Sequence, residues 1–198
     1  MIKIAVLVSG GGTNLQALID AWKKGSFNNA ELSLVVSSVS GVYALERAKE
    51  AGIKTLTIER KKYDNINEFD KALLDALSEN NTDLVILAGF LSVLGAKVVK
   101  KYENKILNVH PSLIPSFCGK GFYGLKVHKA ALEKGVKITG ATVHLVNDEI
   151  DGGKIILQKA VEVKKDDTPE TLQQRVMREA EWEIFPQAVA MFCNGEIK

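Results

Sequence analysis

Short runs of Val, Ile, Leu and Ala alternate along this chain with longer stretches in which apolar residues recur at helical spacing. The runs at 2–8, 32–37, 54–58, 84–87 and 106–109 are read as strands. Most are apolar without interruption, as expected of central strands covered on both faces. The helical signal is clearest where Phe69, Leu73, Leu74 and Leu77 form one stripe, with Asp70, Lys71, Asp75 and Glu79 on the other side. Gly52 after Ala51 marks a helix end. Strands and helices in alternation predict an α/β fold, a mostly parallel central sheet flanked by helices.

Beyond His110 the texture changes. Residues 111–124 form the longest irregular stretch of the chain, and loops of that length in compact domains are usually functional or mobile. A short helix ending near Gly135 follows, then two strands at 138–146 and 154–163 joined by Asn147-Asp148-Glu149-Ile150-Asp151-Gly152-Gly153. In the last helix Thr168 is placed to cap, Pro169 takes the first helical position, and the helix is expected to run to about Phe192. No repeat, low-complexity tract or linker interrupts the pattern, so a single domain over 1–198 is expected.

Composition narrows the class. The 198 residues carry 26 Lys and Arg against 24 Asp and Glu, a net charge of +2, and 46% are hydrophobic. A chain of that size buries roughly 70% of the surface its unfolded form exposes and needs no staple. Cys118 and Cys193, far apart in sequence, predict neither a disulfide framework nor a metal cluster and suit a reducing, cytoplasmic location. The apolar amino terminus runs into three glycines after Val8 and is too short for a secretory core or a membrane span. Basic pairs are scattered and offset by acids, which argues against a nucleic-acid partner.

Three segments could carry chemistry. Ser9-Gly10-Gly11-Gly12-Thr13-Asn14 follows a strand and precedes a helix beginning near Leu15. Free backbone N–H groups and a helix dipole would meet a phosphate there; the plain alternative is a tight turn with Thr13 as cap. Leu15 stands where a dinucleotide fingerprint needs its third glycine, no acidic residue ends the second strand, and no Walker lysine follows, so a phosphomonoester is the better guess. By strand period Asn108 and His110, two apart with Pro111 ending the ladder, project to one face near the carboxyl edge of the sheet, where an amide and an imidazole can hold an oxyanion and move a proton. The acidic turn with Asp148, Glu149 and Asp151 suits a surface hairpin, unless one carboxylate lies against His110, where it would orient the ring and favour its charged form. His144 and His128 fit interior positions, and nothing in the spacing brings three histidines to one metal.

Ser9-Gly-Gly-Gly-Thr-Asn14, Leu87-Ala-Gly-Phe90, Asn108-Val-His-Pro-Ser-Leu-Ile-Pro115 and Asp148-Glu-Ile-Asp-Gly-Gly153 together resemble the phosphoribosylglycinamide formyltransferases, folate-dependent enzymes of de novo purine (IMP) synthesis. The likeness covers nearly the whole chain, in order. It implies a Rossmann-like formyltransferase fold, 10-formyltetrahydrofolate as co-substrate, phosphoribosylglycinamide as acceptor and no metal. Asn108, His110 and Asp151 match the catalytic amide, imidazole and carboxylate. Gly11, Gly12, Thr13 and Asn14 fall where the ribotide phosphate is cradled, and Glu181 matches a glutamate contacting the same substrate. Leu91, Ser92, Val93 and Leu94, with Asn108 and the loop Asn147, Asp148, Glu149, Ile150 and Asp151, match the folate slot. The basic residue that often holds the folate tail is missing from Asp64-Asn65-Ile66-Asn67, leaving Arg60, Lys61 or Lys62 as substitutes, and Ser116 to Gly124 is longer than in many relatives.

The alternatives are another enzyme using 10-formyltetrahydrofolate, a hydrolase or a formyltransferase to a different amine, and a non-catalytic sensor of phosphoribosyl ligands. The first usually carries a further domain, which is not expected here; the second has no use for Asn108, His110 and Asp151 together. A monomer and a homodimer are equally compatible with the sequence.

Overall fold

The computed structural model describes residues 1–197; the last residue of the expected 1–198 unit lies outside the described residues. Seven strands form one sheet: β1 (Ile2–Val8), β2 (Ala30–Ser37), β3 (Lys54–Thr57), β4 (Leu84–Leu87), β5 (Ile106–His110), β6 (Ile138–Leu145) and β7 (Ile155–Glu162). Their order is β3-β2-β1-β4-β5-β6-β7. The first five pair in parallel, while β6 and β7 pair antiparallel.

Side-chain alternation along the strands sorts the core into two layers. Ile4, Val6 and Val8 of β1 face one layer with Leu15, Leu18, Phe185 and Val189. These last come from helices α1 (Thr13–Lys23) and, near the carboxyl end, Trp182–Cys193. Ala5 and Leu7 face the other layer with Phe69, Leu73 and Leu77 of the helix Ile66–Glu79. The remaining helices are Tyr43–Glu50, Ala96–Lys101, Leu125–Lys134 and Pro169–Val176. In chain order we number all of them α1 to α7, so that Tyr43–Glu50 is α2, Ile66–Glu79 α3, Ala96–Lys101 α4, Leu125–Lys134 α5, Pro169–Val176 α6 and Trp182–Cys193 α7.

Three sequence expectations change in space. The strand at 54–58 is an edge strand with Lys54, Leu56 and Thr57 exposed, not a covered central one, because β3 has a partner on one side only. Asp70, placed on the polar side of its helix, is buried and accepts the Gly95 N–H at 2.9 Å. The carboxyl-terminal helix is not continuous: Thr168 caps it and Pro169 opens it, but Met177–Glu181 form a π-helical turn before α7 resumes. Pro186 has no N–H to give the carbonyl of Trp182, so the regular ladder is already broken next to that turn.

The strand order reverses direction at β1, between β2 and β4. In open α/β sheets, ligands bind outside the carboxyl ends of strands at such a point. Here the segment after β1 and the segment after β4 are tied together across it: Leu91 N–H donates to Ser9 Oγ at 2.9 Å, and Ser9 Oγ shares a 2.7 Å hydrogen bond with Ser38 Oγ beyond β2.

Candidate functional site

The glycine loop turns directly from β1 into α1. Gly12 is the residue before the helix, at φ +74°, and a Cβ there would lie 2.7 Å from the Ala44 Cβ, so only glycine fits both the backbone and the neighbour. Thr13 is not the helix cap. It is the first helical residue, no side chain caps α1, and the Thr13 hydroxyl instead points to Met177 Sδ at 3.7 Å. The helix start is therefore left without an internal side-chain acceptor for its N–H groups. At the far side of the loop Asn14 Nδ2 donates to Glu181 Oε2 at 2.5 Å, and Asn14 Oδ1 is buried without a hydrogen-bond partner. Burial pushes the Glu181 carboxyl up to about 7 against the opposing hydrogen bond from Asn14. The π-helical turn carries both Met177 and Glu181, so one local irregularity presents two side chains to the loop.

The second group gathers around β5. The registers put Leu7, Leu87, Asn108 and His144 on one line across four strands, and cross-strand neighbours share a face. Asn108 Nδ2 and His144 Nε2 are 3.0 Å apart, and His144 Nδ1 lies 2.8 Å from the Leu145 carbonyl oxygen. A proton on Nδ1, donated to that carbonyl, leaves Nε2 to accept from Asn108. Asp151 then joins the two histidines: Oδ1 is 3.6 Å from His144 Nε2 and Oδ2 is 3.5 Å from His110 Nδ1. His110 Nε2 lies 2.9 Å from the Phe117 carbonyl, and Gly119 N–H donates to Asp151 Oδ2 at 2.8 Å.

Burial decides the net result at His110, but the pull of Asp151 on it has the expected upward sign. A carboxylate against His110 was expected to favour the charged ring. The carboxylate is there, yet burial is the largest influence and carries the His110 pKa below its ordinary value, against the upward pulls of Asp151 and the Phe117 carbonyl; His144 adds to the lowering. Burial thus favours the neutral ring, which leaves Nδ1 as an acceptor. Phe117 accepts the Nε2 proton and Asp151 faces the nitrogen that would gain one. For Asp151 itself burial is again the largest single influence and pushes upward. Contact with His144, the charge of His110 and the Gly119 N–H together outweigh it, and the carboxyl stays below its usual range.

The irregular stretch after β5 is held by a chain of polar contacts. Thr142 Oγ1 on β6 donates to the Ser112 carbonyl at 2.7 Å and accepts the Ile114 N–H at 3.0 Å, while Ser112 Oγ donates to the Ser116 carbonyl at 2.6 Å. The turn carrying Asp151 depends on its glycines. A Cβ at Gly153 would lie 1.8 Å from the Leu145 carbonyl oxygen, so no side chain is possible where the loop folds back onto β6. Within it Asn147 Oδ1 accepts the Glu149 N–H at 3.0 Å, while Asp148 is exposed. Leu91, Val93 and Ile150 are apolar and exposed, Leu94 packs against the α3 layer, and Ser92 is half-buried.

Of the basic substitutes, Lys61 and Lys62 are paired with Glu59 at 3.1 and 2.5 Å, and the Arg60 guanidinium lies over the Phe69 ring while donating to the Tyr63 carbonyl. Among the described residues no three His, Cys, Asp or Glu side chains converge to hold a metal ion, and no helix is long and apolar enough to cross a membrane. The sequence missed His144, Thr142, Phe117 and Gly119. Only the antiparallel register of β6 against β5 reveals the first two, and the last two act through backbone groups that any residue carries.

The profile of the formyl transferase family matches residues 2–189. The trifunctional purine biosynthetic protein adenosine-3 of Gallus gallus is 49% identical over 197 residues, all of this chain but 19% of that protein. This chain therefore spans only 14% to 19% of the trifunctional relatives it matches. The phosphoribosylglycinamide formyltransferase of Haemophilus influenzae is 40% identical over 198 residues, 100% of this chain and 90% of that protein. Among solved structures, glycinamide ribonucleotide transformylase 1 from Symbiobacterium toebii superposes with a TM-score of 0.92 at 42% identity, over 98% of this chain and 89% of that one.

Proposed function

The chain belongs to the formyl transferase family, and on that footing we propose that it transfers the formyl group of 10-formyltetrahydrofolate to the amine of phosphoribosylglycinamide, a step of de novo purine biosynthesis. Relatives named for that activity, alike over the full chain, support the reading. The observation that carries it is the convergence of Asn108, His110, His144 and Asp151 at the carboxyl end of β5.

Attack of an amine on a formyl carbon builds a tetrahedral carbon with an oxyanion and leaves a proton to be removed from nitrogen. The Asn108 amide donates to the oxyanion, and His144 fixes the orientation of that amide. His110, neutral before the reaction because burial disfavours its charge, accepts the amine proton at Nδ1, and Asp151 faces the resulting cation. The same ring can return the proton to the departing folate nitrogen, so charge is conserved over the cycle. Gly11, Gly12, Thr13 and Asn14 hold the ribotide phosphate and Glu181 a neighbouring group of the same substrate. Leu91, Ser92, Val93 and Leu94, with the 147–151 loop, take the folate: the exposed Leu91, Val93 and Ile150 offer apolar surface and the loop offers backbone polar groups. Holding both reactants turns a bimolecular encounter into a positioned one.

Incubation with 10-formyltetrahydrofolate, with and without phosphoribosylglycinamide, tests the reading by following free tetrahydrofolate. Release that requires the ribotide is expected. Release without it would make the protein a hydrolase, and no release in either case would overturn the proposal.

A further inference from the structure

Resting on the phosphate assignment above, we propose that Arg47 is the positioning residue of the ribotide phosphate cradle: from the neighbouring helix α2 it fixes the peptide plane that aims the Gly12 N–H. Arg47 Nε donates to the Gly11 carbonyl at 2.9 Å. A trans peptide is rigid and its C=O and N–H point in opposite directions, so a carbonyl anchored towards α2 sends the next N–H away from it. The same holds one residue earlier, where the Ala44 N–H donates to the Gly10 carbonyl at 3.2 Å and so orients the Gly11 N–H. Neither the Gly11 nor the Gly12 N–H donates to a protein acceptor among the described residues. Two successive N–H groups turned outward beside the positive end of α1 form an anion-binding concavity.

Arg47 is itself held on three sides. Nη1 donates to Gln16 Oε1 at 2.9 Å, the guanidinium lies 4.7 Å from the centre of the Tyr43 ring, and Nε is on Gly11. The planar fork spans α1 and the loop at once, which a lysine ammonium on a flexible stem cannot do. A second observation points to a ligand at this loop: Asn14 is 9% exposed, and its Oδ1 is buried with no partner, an acceptor that calls for a donor such as a hydroxyl or amine of the ribotide rather than for its phosphate. The close approach of Ala44 to Gly12 packs α2 against the loop, so the anchor cannot drift away.

The test is steady-state kinetics of Arg47→Met and Arg47→Lys beside the unmodified protein, with inorganic phosphate as a competitor of the ribotide. Loss of the anchor in Arg47→Met is expected to raise the ribotide KM by about tenfold to a hundredfold and the inhibition constant of phosphate in parallel. The folate KM and kcat at saturation should stay within about twofold, because the cluster on β5 is untouched. Arg47→Lys keeps the charge and should recover only part of the loss; it also serves if Arg47→Met fails to fold. Full recovery by lysine would mean that charge and not positioning acts, and an unchanged ribotide KM in a folded variant would mean that Arg47 does neither. Either result overturns the inference. If the unmodified protein shows no dependence on the ribotide at all, the phosphate assignment itself has failed.

Discussion

The glycine loop and the cluster on β5 lie in one sheet but are built in opposite ways. The loop works with main-chain groups: its glycines remove side chains, a helix start leaves N–H groups free, and neighbours anchor the carbonyls. The cluster works with side chains drawn from β5, β6 and the loop before β7, joined at Asp151. A main-chain site has many donors of similar worth, so losing one side chain weakens binding by degrees. A side-chain cluster concentrates its chemistry in single atoms, and losing one should stop turnover.

That contrast is sharpest at Asn108. Asn108→Ala is expected to lower kcat by about 10² to 10³, with small changes in both Michaelis constants, measured per active site and beside a melting curve. A loss of thermal stability with turnover retained would make Asn108 a structural partner of His144 only.

Next comes Asp151→Asn, which keeps the shape and removes the charge. Asp151 raises the His110 pKa against the larger lowering by burial, so its loss should move the ring's titration further down in pH. NMR of ring-labelled His110, assigned with His110→Ala, reads the midpoint directly, and kcat should fall by about 10². An unmoved midpoint with a collapsed rate would assign Asp151 to ordering the loop or a water instead.

At the other site, Thr13→Ala with Asn14→Ala should weaken ribotide binding by about tenfold to a hundredfold and leave folate binding alone, by calorimetry with each ligand. A matching loss for folate would remove the distinction between the two regions.

The smallest effect concerns stability at the buried titratable groups. His128 on α5 is fully buried with neither ring nitrogen partnered; burial, then the charge of His110, pushes its pKa down to about 4. The unfolded chain therefore binds the proton first as pH falls, and stability is lost from about pH 6.5 down to about 4, with a slope of at most about 1.4 kcal/mol per pH unit. Glu181 has the opposite sign: with its pKa raised to about 7, the folded protein holds the proton more tightly and stability falls as pH rises through the range from 4.5 to 7. Urea unfolding at several pH values should show the acid side flattened in His128→Leu and the neutral side flattened in Glu181→Gln.

Legibility followed the same division. The strand segments were readable because parallel strands are continuous apolar runs, and their ends moved by only a residue or two. Gly10, Gly11 and Gly12 were readable as a loop because glycines before a helix have few other uses, although the helix begins at Thr13 rather than near Leu15 and Thr13 is not its cap. Asn108 and His110 shared a face by strand period alone. His144 was not legible: a histidine in an alternating strand fits any interior, and its place opposite Asn108 exists only once β6 pairs antiparallel with β5. The edge position of β3 and the burial of Asp70 were likewise hidden, since both depend on which neighbour is absent or present.

By itself the sequence determined the alternation of strand and helix, the glycine loop and the residue types of the site, because periodicity and backbone permissiveness are local properties of a chain. The tertiary structure decided that Asp151 reaches two histidines and that burial outweighs its charge at His110. It also decided that Arg47 on a separate helix aims a peptide of the loop. Each of these is a balance between distant groups, whose separation in space and exclusion from water no single stretch of sequence contains.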